Sequence, residues 1–329
     1  MEARLVARQK RLLPALPRKQ SPPSINGTKI SRASDVCAHL CKVLDTNSSV
    51  RSYYEPCGGM LAVLCKMIDA CADRLDTFIV ADIDPHLVAL WQHVRDHGLT
   101  DLPDVADFTK EEYVRCAKVA KDINSTGHAK VAYYGFAATR DGIRFNNWEK
   151  TAEQRSEKVR RFRAGLVYLR KYLQHEKVTI IPYSQNVLCT ELPTTPTLFY
   201  VDPPYYYNNF DRNPYFKSWK ENEMVRQMFW MRMRAWSDAG HAVVVSEYTC
   251  GVESSGFVEV LRNRNPKQPK RAKRGDRHDE LLFERRREGA ARGSAVQVLA
   301  PYQSPDLFLI STSVCPSNYL CTCLCVCLC

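Results

Sequence analysis

The sequence predicts a doubly wound α/β fold, because short apolar segments alternate with amphipathic segments along most of the chain. A turn with two adjacent glycines follows the first predicted strand, and acidic residues directly follow two later strands. This placement suits a parallel sheet, in which ligands bind at the carboxyl ends of the strands. We predict strands at 52–55, 77–81, 178–181, 197–201 and 242–247, and helices at 33–44, 60–72, 85–97, 110–122, 153–175 and 221–239.

Length and composition indicate one large domain, or one domain with an insertion. The 329 residues are 45% hydrophobic, an ordinary share for a globular protein. No apolar run approaches the ~18 residues expected of a membrane-spanning helix. Residues 1–20 are basic and lack the compact apolar stretch of a secretory signal. We therefore expect an intracellular protein, cytoplasmic or nuclear, with no membrane partner.

The cysteines predict a reduced protein with an unusual C-terminal end. The chain has 14 cysteines, and those before residue 315 are scattered, as expected of buried thiols. From Cys321 to Cys329 every second residue is a cysteine, which could indicate a soft-metal site, a low-complexity tail or a stretch outside the reading frame. No histidine accompanies this run, so we favour the second and third interpretations and expect no metal.

The net charge of +11 is unevenly distributed. Basic residues exceed acidic ones in three segments, 1–20, 104–177 and 262–293. Such segments favour binding to a polyanion, although solvated helix faces would give the same pattern in 104–177.

The stretch Asp202-Pro203-Pro204-Tyr205 lies at the end of an apolar strand. The Asp202 carboxylate and the Pro203 carbonyl can both accept hydrogen bonds from an exocyclic amine such as N6 of adenine. The prolines fix φ and remove competing N–H donors, and Tyr205 offers a ring on which a base can stack. Asp-Pro-Pro is also a turn signal at a strand end, so the tetrapeptide alone is weak support for that chemistry.

A second pattern begins at Glu55-Pro56-Cys57-Gly58-Gly59 and ends at Asp82. Glycines let a backbone approach a ligand closely, and a helix N-terminus favours polar groups. An acid about 20 residues beyond such a turn is typical of nucleotide-binding folds, where it binds the ribose hydroxyls. The order of turn, acid and Asp-Pro-Pro-Tyr is more specific than any one of them.

In this order the chain resembles the D12 class of N6 adenine-specific DNA methyltransferases, which includes the Dam-type enzymes. The resemblance covers residues 22–287. It rests on Asn26-Gly27-Thr28-Lys29, the glycine turn, Asp82-Ile83-Asp84-Pro85, Asp202-Pro203-Pro204-Tyr205 and the later strands 242–248 and 279–283. Cys57 stands where the family has phenylalanine, and Ser184 or Gln185 where it often has an acid.

The resemblance implies a Rossmann-like methyltransferase fold that binds S-adenosylmethionine, with an inserted domain. The implied catalytic residues are Asp202, Pro203, Pro204 and Tyr205. The implied cofactor-binding residues are Lys29, Glu55, Pro56, Cys57, Gly58, Gly59, Asp82, Ile83, Ser184 and Asp202. The implied organisation is a disordered N-terminus (1–21), a catalytic domain (22–103 and 178–287), a mainly helical target-recognition insertion (104–177) and a Cys-rich tail (288–329).

The insertion also supplies the expected DNA contacts. Arg140, Asn146 and Asn147 lie in residues 130–148, a stretch predicted to be irregular because glycines such as Gly135, aromatics and polar residues break the helical pattern. Arg and Asn are residue types that read guanine and adenine edges. Arg160, Arg161 and Arg163 lie on a predicted basic helix, which favours phosphate contacts. Any one residue of the irregular stretch could equally be structural, and the basic helix could instead present a solvated face.

We thus expect a monomeric enzyme that flips adenine out of double-stranded DNA and methylates its N6. Two alternatives stay open. One is a DNA-binding protein of the same fold with weakened catalysis, and the other is an N6-adenine methyltransferase that acts on RNA.

Overall fold

A computed structural model describes residues 21–23, 29–122, 125–139, 144–145, 148–183, 185–204, 223–247, 256–263 and 280–285. The chain divides into two compact units, Met1–Arg285 and Arg286–Cys329, and every described residue lies in the first. Apart from Ser21, the predicted disordered N-terminus and the Cys-rich tail lie outside the described residues and stay predictions.

The described elements alternate between helices and strands, as the sequence predicts. The helices are α1 (Ala33–Thr46), α2 (Ala62–Cys71), α3 (Pro85–His97), α4 (Lys110–Val119), α5 (Ala129–Ala137), α6 (Ala152–Leu173) and α7 (Glu223–Asp238), with a 3₁₀ turn at Val187–Cys189. The strands are β1 (Ser52–Glu55), β2 (Thr77–Val80), β3 (Val178–Ile180), β4 (Thr197–Val201), β5 (Ala242–Glu247), β6 (Phe257–Asn263) and β7 (Glu280–Arg285).

The strands form one seven-stranded sheet in the order β3-β2-β1-β4-β5-β7-β6. The first five strands in this order are parallel, β7 pairs antiparallel with β5, and β6 pairs antiparallel with β7. The order reverses between β1 and β4, and this switch point is where α/β sheets bind ligands. The predicted doubly wound α/β fold is confirmed.

Alternating strand residues build two cores, one on each face of the sheet. Tyr53, Leu198 and Val244 point to the face covered by α1, α2, α3, α5 and α6. Tyr54 and Phe199 point to the opposite face, where α7 packs; there Phe199 stacks on Trp236 with ring centroids 4.3 Å apart. Burial on both faces explains why the central strands are continuously apolar rather than alternating with polar residues.

The segment between α3 and β3 belongs to the first of these cores. Tyr113 of α4, Tyr133 of α5 and Leu166 of α6 lie in the same buried cluster as Trp91 of α3. Residues 104–177, the expected insertion, therefore pack on one face of the sheet through a shared apolar core. Its role in target recognition stays a prediction.

Two sequence predictions fail locally. Residues 130–148 were expected to be irregular, but α5 occupies Ala129–Ala137. The glycine that suggested a break, Gly135, is required by packing: a Cβ there would lie 2.9 Å from the Phe145 ring and 3.0 Å from Arg144 Cγ. Strand β6 was not predicted, although the apolar residues of Phe257-Val258-Glu259-Val260-Leu261 are typical of a strand.

No helix among the described residues is long and apolar enough to cross a membrane. The expected intracellular location stays a prediction.

Candidate active site

Three acidic side chains meet at the carboxyl edge of the sheet, around the switch point. Glu55 is the last residue of β1, Asp82 lies two residues after the end of β2, and Asp202 directly follows β4. Because β1 pairs with both β2 and β4, these chain positions lie side by side. Acidic residues at the ends of predicted strands therefore indicated the edge of the sheet at which these side chains lie.

The glycine turn is a tight cradle between β1 and α2. The Gly58 amide donates to the Ala81 carbonyl at 2.9 Å, and Gly59 adopts φ 52° in the left-handed region. A Cβ on Gly58 would lie 2.7 Å from Leu61 and 2.8 Å from the Trp91 ring, whereas a Cβ on Gly59 would meet nothing within 4 Å. Gly58 is thus fixed by packing, and Gly59 leaves the backbone open to a ligand.

Asp82 is held by backbone amides on both oxygens. Gly59 N donates to its Oδ2 at 3.0 Å and Asp84 N donates to its Oδ1 at 2.9 Å. Burial raises the pKa of Asp82 to about 6, against the lowering effect of these two hydrogen bonds. A carboxylate oxygen has more than one lone pair, so both oxygens can accept a further hydrogen bond from a ligand hydroxyl.

Glu55 is buried behind the turn. Its Oε2 accepts a hydrogen bond from the Tyr53 hydroxyl at 2.9 Å. Burial raises its pKa to about 8; the Tyr53 hydrogen bond opposes this shift, and the Asp202 charge adds to it. Glu55 is therefore largely protonated at neutral pH and shapes the site as a neutral hydrogen-bonding group.

Lys29 and Asp202 form an ion pair across the site. Lys29 Nζ lies 2.7 Å from both Asp202 Oδ1 and Asp202 Oδ2, and the two side chains are only 8% and 16% exposed. The pair joins residues 173 positions apart in the chain. Lys29, expected to contact the cofactor, thus contacts the expected catalytic acid, and it orients that carboxylate.

The remaining described residues of the expected set line the same edge. Pro56 and Pro203 are buried, and Cys57, Ile83 and Pro204 are half-buried. Burial raises the pKa of the Cys57 thiol well above its usual range, and the charges of Asp82 and Asp202 raise it further. The thiol is therefore neutral, and Cys57 contributes a small apolar surface beside the turn.

Gln185 is one of the two residues, with Ser184, that the sequence places where the family often has an acid. Its backbone N–H donates to the Asp82 backbone carbonyl at 2.9 Å, and its side-chain Oε1 accepts a hydrogen bond from the Tyr54 hydroxyl. The side chain is therefore fixed next to the cradle by a tyrosine of β1.

Five expected site residues lie outside the described residues: Ser184, Tyr205, Arg140, Asn146 and Asn147. Their roles stay predictions.

The three arginines expected to contact phosphate differ in environment. Arg160 and Arg161 are exposed on α6 and pair with the exposed Glu157. Arg163 is only 20% exposed, and its Nη1 donates to the carbonyls of Leu102 at 3.1 Å and Pro103 at 2.9 Å. Arg163 thus ties α6 to the loop before α4, which is a structural role.

Sequence reasoning missed two residues that shape the site. Trp91 packs on Gly58, and its indole nitrogen donates to the Gly59 carbonyl at 3.2 Å. Arg144 reaches Asp84 from the insertion at 2.5 Å. Trp91 lies within the predicted helix 85–97, and its position there gives no sign of the contact with the glycine turn. No local signal marks Arg144, because its partner is 60 positions away.

These features fit a nucleoside cofactor next to an amine-binding acid. A glycine backbone open at Gly59 and an acid at the end of β2 provide the cradle and the hydroxyl acceptor that such a cofactor needs. Asp202 lies close enough to raise the pKa of Glu55 at the base of the turn. Among the described residues, no cluster of His, Cys, Asp and Glu could hold a metal ion.

Two solved structures of the rRNA methyltransferase aviRa from Streptomyces viridochromogenes are similar to the chain at 11% identity, with TM-scores of 0.35 and 0.34. Each alignment covers 79% of this chain and 88% of that one. A comparison with curated protein sequences finds no significant match.

The family model described as D12 class N6 adenine-specific DNA methyltransferase matches residues 33–271. This range contains the glycine turn, Asp82, Asp202 and all five parallel strands. The chain therefore belongs to the D12 class of N6 adenine-specific DNA methyltransferases.

Proposed function

We propose that this chain transfers a methyl group from S-adenosylmethionine to N6 of adenine in double-stranded DNA. The observation that carries the proposal is the meeting of Asp202, held by Lys29, with the Gly58-Gly59 cradle and Asp82 at one switch point. Family membership supplies the reaction class. The arrangement supports assigning a role to each side chain.

The cradle residues fit S-adenosylmethionine. Asp82 would accept hydrogen bonds from the ribose hydroxyls, and the backbone at Gly59 would lie against the cofactor. Gln185, fixed by Tyr54, would replace the usual acid near the adenine ring of the cofactor through an amide hydrogen bond. When bound, S-adenosylmethionine supplies an electrophilic methyl group.

Asp202 and the Pro203 carbonyl would hold the target amine. The nitrogen lone pair of adenine N6 is conjugated with the ring, so the amine is a poor nucleophile. Two groups that accept hydrogen bonds from its N–H groups favour a tetrahedral nitrogen, whose lone pair would point at the methyl group. As the N–C bond forms, the S–C bond to that methyl would break, and the nitrogen would release one proton. Lys29 fixes the Asp202 carboxylate, so catalysis depends on positioning and preorganised charge.

The state of Cys57 supports direct transfer to the amine. A covalent mechanism needs a thiolate, and the pKa of this thiol is raised by burial and by neighbouring carboxylates. Cys57, the cysteine of the glycine turn, is therefore unsuited to attack a base.

We propose that the target adenine flips out of the duplex and stacks on Tyr205. Arg160 and Arg161 present exposed charge for phosphate contacts, and their ion pairs with Glu157 lie at the surface, where such pairs are weak. Arg163 is left out of this set because its guanidinium already binds two carbonyls. Arg140, Asn146 and Asn147 stay the proposed base-reading residues, and the enzyme acts as a monomer.

The test is methyl transfer to nucleic acid by the purified chain. Radiolabelled S-adenosylmethionine is incubated with unmethylated duplex DNA, single-stranded DNA or RNA, and the labelled nucleosides are separated. The proposal expects label in N6-methyldeoxyadenosine, with duplex DNA the best substrate. Label found only in RNA would support the RNA alternative, and duplex binding without label would support the weakened DNA-binding alternative.

A further inference from the structure

A buried ion pair links the insertion to the loop between β2 and α3, which contains Asp82. Arg144 Nη1 lies 2.5 Å from Asp84 Oδ2, and the two side chains are 7% and 4% exposed. Arg144 follows α5 in sequence and packs against it: its Cγ lies against Gly135, and the amide of the next residue, Phe145, donates to the Gly135 carbonyl at 3.0 Å. The insertion thus places a cation inside the cofactor half of the protein.

Asp84 fixes the conformation of this loop. Its amide donates to Asp82 Oδ1 at 2.9 Å, so Asp84 positions the acid proposed to bind the ribose. Its own Oδ1 accepts from His86 N at 3.0 Å and caps helix α3. The other oxygen, Oδ2, pairs with Arg144. Orientation of Asp84 therefore depends on a capping bond from one side and on Arg144 from the other.

A stabilising role does not account for this arginine. Nε and Nη2 of Arg144 are buried and have no hydrogen-bond partner among the described residues. Buried donors without partners are costly, and a buried ion pair is often no more stabilising than apolar residues of the same volume. A costly buried ion pair can be retained because it fixes one conformation. Here the pair contacts the loop after β2 that contains Asp82.

We propose that Arg144 is a positioning residue for the cofactor site, acting through Asp84 to hold Asp82 in the orientation that binds the ribose. The inference rests on the proposed function, because it assigns Asp82 to the ribose of S-adenosylmethionine. It also gives the insertion a second role: part of the segment expected to recognise DNA completes the cofactor site.

The experiment measures S-adenosylmethionine binding by calorimetry, together with steady-state kinetics on duplex DNA. Arg144→Met should weaken cofactor binding by about tenfold, equivalent to about 1.4 kcal/mol. It should raise the cofactor KM by a similar factor and leave kcat at saturating cofactor within about threefold. Arg144→Lys keeps the charge and should restore most of the affinity.

The matched control is Lys177→Met. Lys177 also ties elements together through a cation, since its Nζ donates to the carbonyls of Ala72 at 2.7 Å and Leu75 at 3.0 Å near the start of β2. This control should lower the melting temperature and leave cofactor affinity unchanged. If Arg144→Met does not fold, the double variant Arg144→Met/Asp84→Asn removes both buried charges and keeps a capping side chain.

Cofactor affinity within twofold of wild type in Arg144→Met, or in the double variant, would overturn the inference and leave the proposed function intact. An equal loss of affinity in Arg144→Met and in Lys177→Met would also overturn it, because the effect would then reflect general loosening. A wild-type chain that does not bind S-adenosylmethionine would instead overturn the proposed function, and this inference with it.

Discussion

Replacing Asp202 with asparagine removes the charge of the proposed catalytic acid and keeps nearly the same side-chain shape. Lys29 Nζ lies 2.7 Å from both carboxylate oxygens in a pair that is 8% and 16% exposed. Breaking a buried pair by neutralising one partner costs about 3–5 kcal/mol, and the residual exposure of Asp202 places this variant near the lower value, about 3 kcal/mol. Unfolding in urea measures that loss.

The same substitution should reduce turnover by at least about a hundredfold, because one of the two acceptors for N6 becomes an uncharged amide held by a lysine. Affinity for S-adenosylmethionine should stay within about threefold, since Asp202 acts on the target amine. The control is Asp73→Asn, which changes an exposed carboxylate after α2. Turnover of Asp202→Asn within tenfold of the wild-type value would refute the catalytic assignment.

Four further outcomes follow from the same site. Asp82→Ala should weaken S-adenosylmethionine binding, measured by calorimetry, by about 1–3 kcal/mol and have a smaller effect on kcat, measured by steady-state kinetics. An unchanged Kd would contradict the assignment of Asp82 to the ribose. Because the ionised form of Asp82 is the better acceptor and its pKa is about 6, cofactor affinity should fall roughly tenfold between pH 7 and pH 5. The pKa of Glu55 is raised from 4.5 to about 8, so the folded state binds its proton more tightly and stability should fall as pH rises from 4.5 to 8. Between pH 6 and pH 8 the free energy of unfolding, measured in urea, should fall by up to ~1.4 kcal/mol per pH unit, and Glu55→Gln should remove this fall. The same fall in the variant would show that another group binds the proton. Arg160→Ala and Arg161→Ala should each lower the slope of log affinity for DNA against log salt concentration by about one unit, whereas Arg163→Gln should lower the melting temperature. Equal slopes in all three variants would show that another segment makes the phosphate contacts.

The parts of the site that lie at strand ends could be predicted from sequence. Glu55 ends β1, and Asp82 and Asp202 follow β2 and β4 within two residues. A parallel sheet brings such strand ends together whatever the connecting loops do. The glycine turn was predicted for a similar reason, because its backbone requirement is local.

Contacts between distant segments could not be predicted from sequence. Lys29 and Asp202 were both expected in the site, but no spacing in the sequence indicates that they bind each other across 173 positions. Arg144 was passed over because a lone arginine in an aromatic-rich stretch looks like any DNA-facing arginine until its partner is known. Helix α5 was missed because Gly135 looks like a helix breaker, whereas its lack of a side chain lets Arg144 and Phe145 pack against the helix.

The central claim is that the Lys29–Asp202 pair and the glycine cradle together form an adenine-N6 methylating site. The most direct measurement is nucleoside analysis of unmethylated duplex DNA after incubation with radiolabelled S-adenosylmethionine and the purified chain, with Asp202→Ala in parallel. The account predicts label in N6-methyldeoxyadenosine for the wild-type chain and none above background for Asp202→Ala. Equal labelling by both proteins, or label only in another nucleoside, would contradict it.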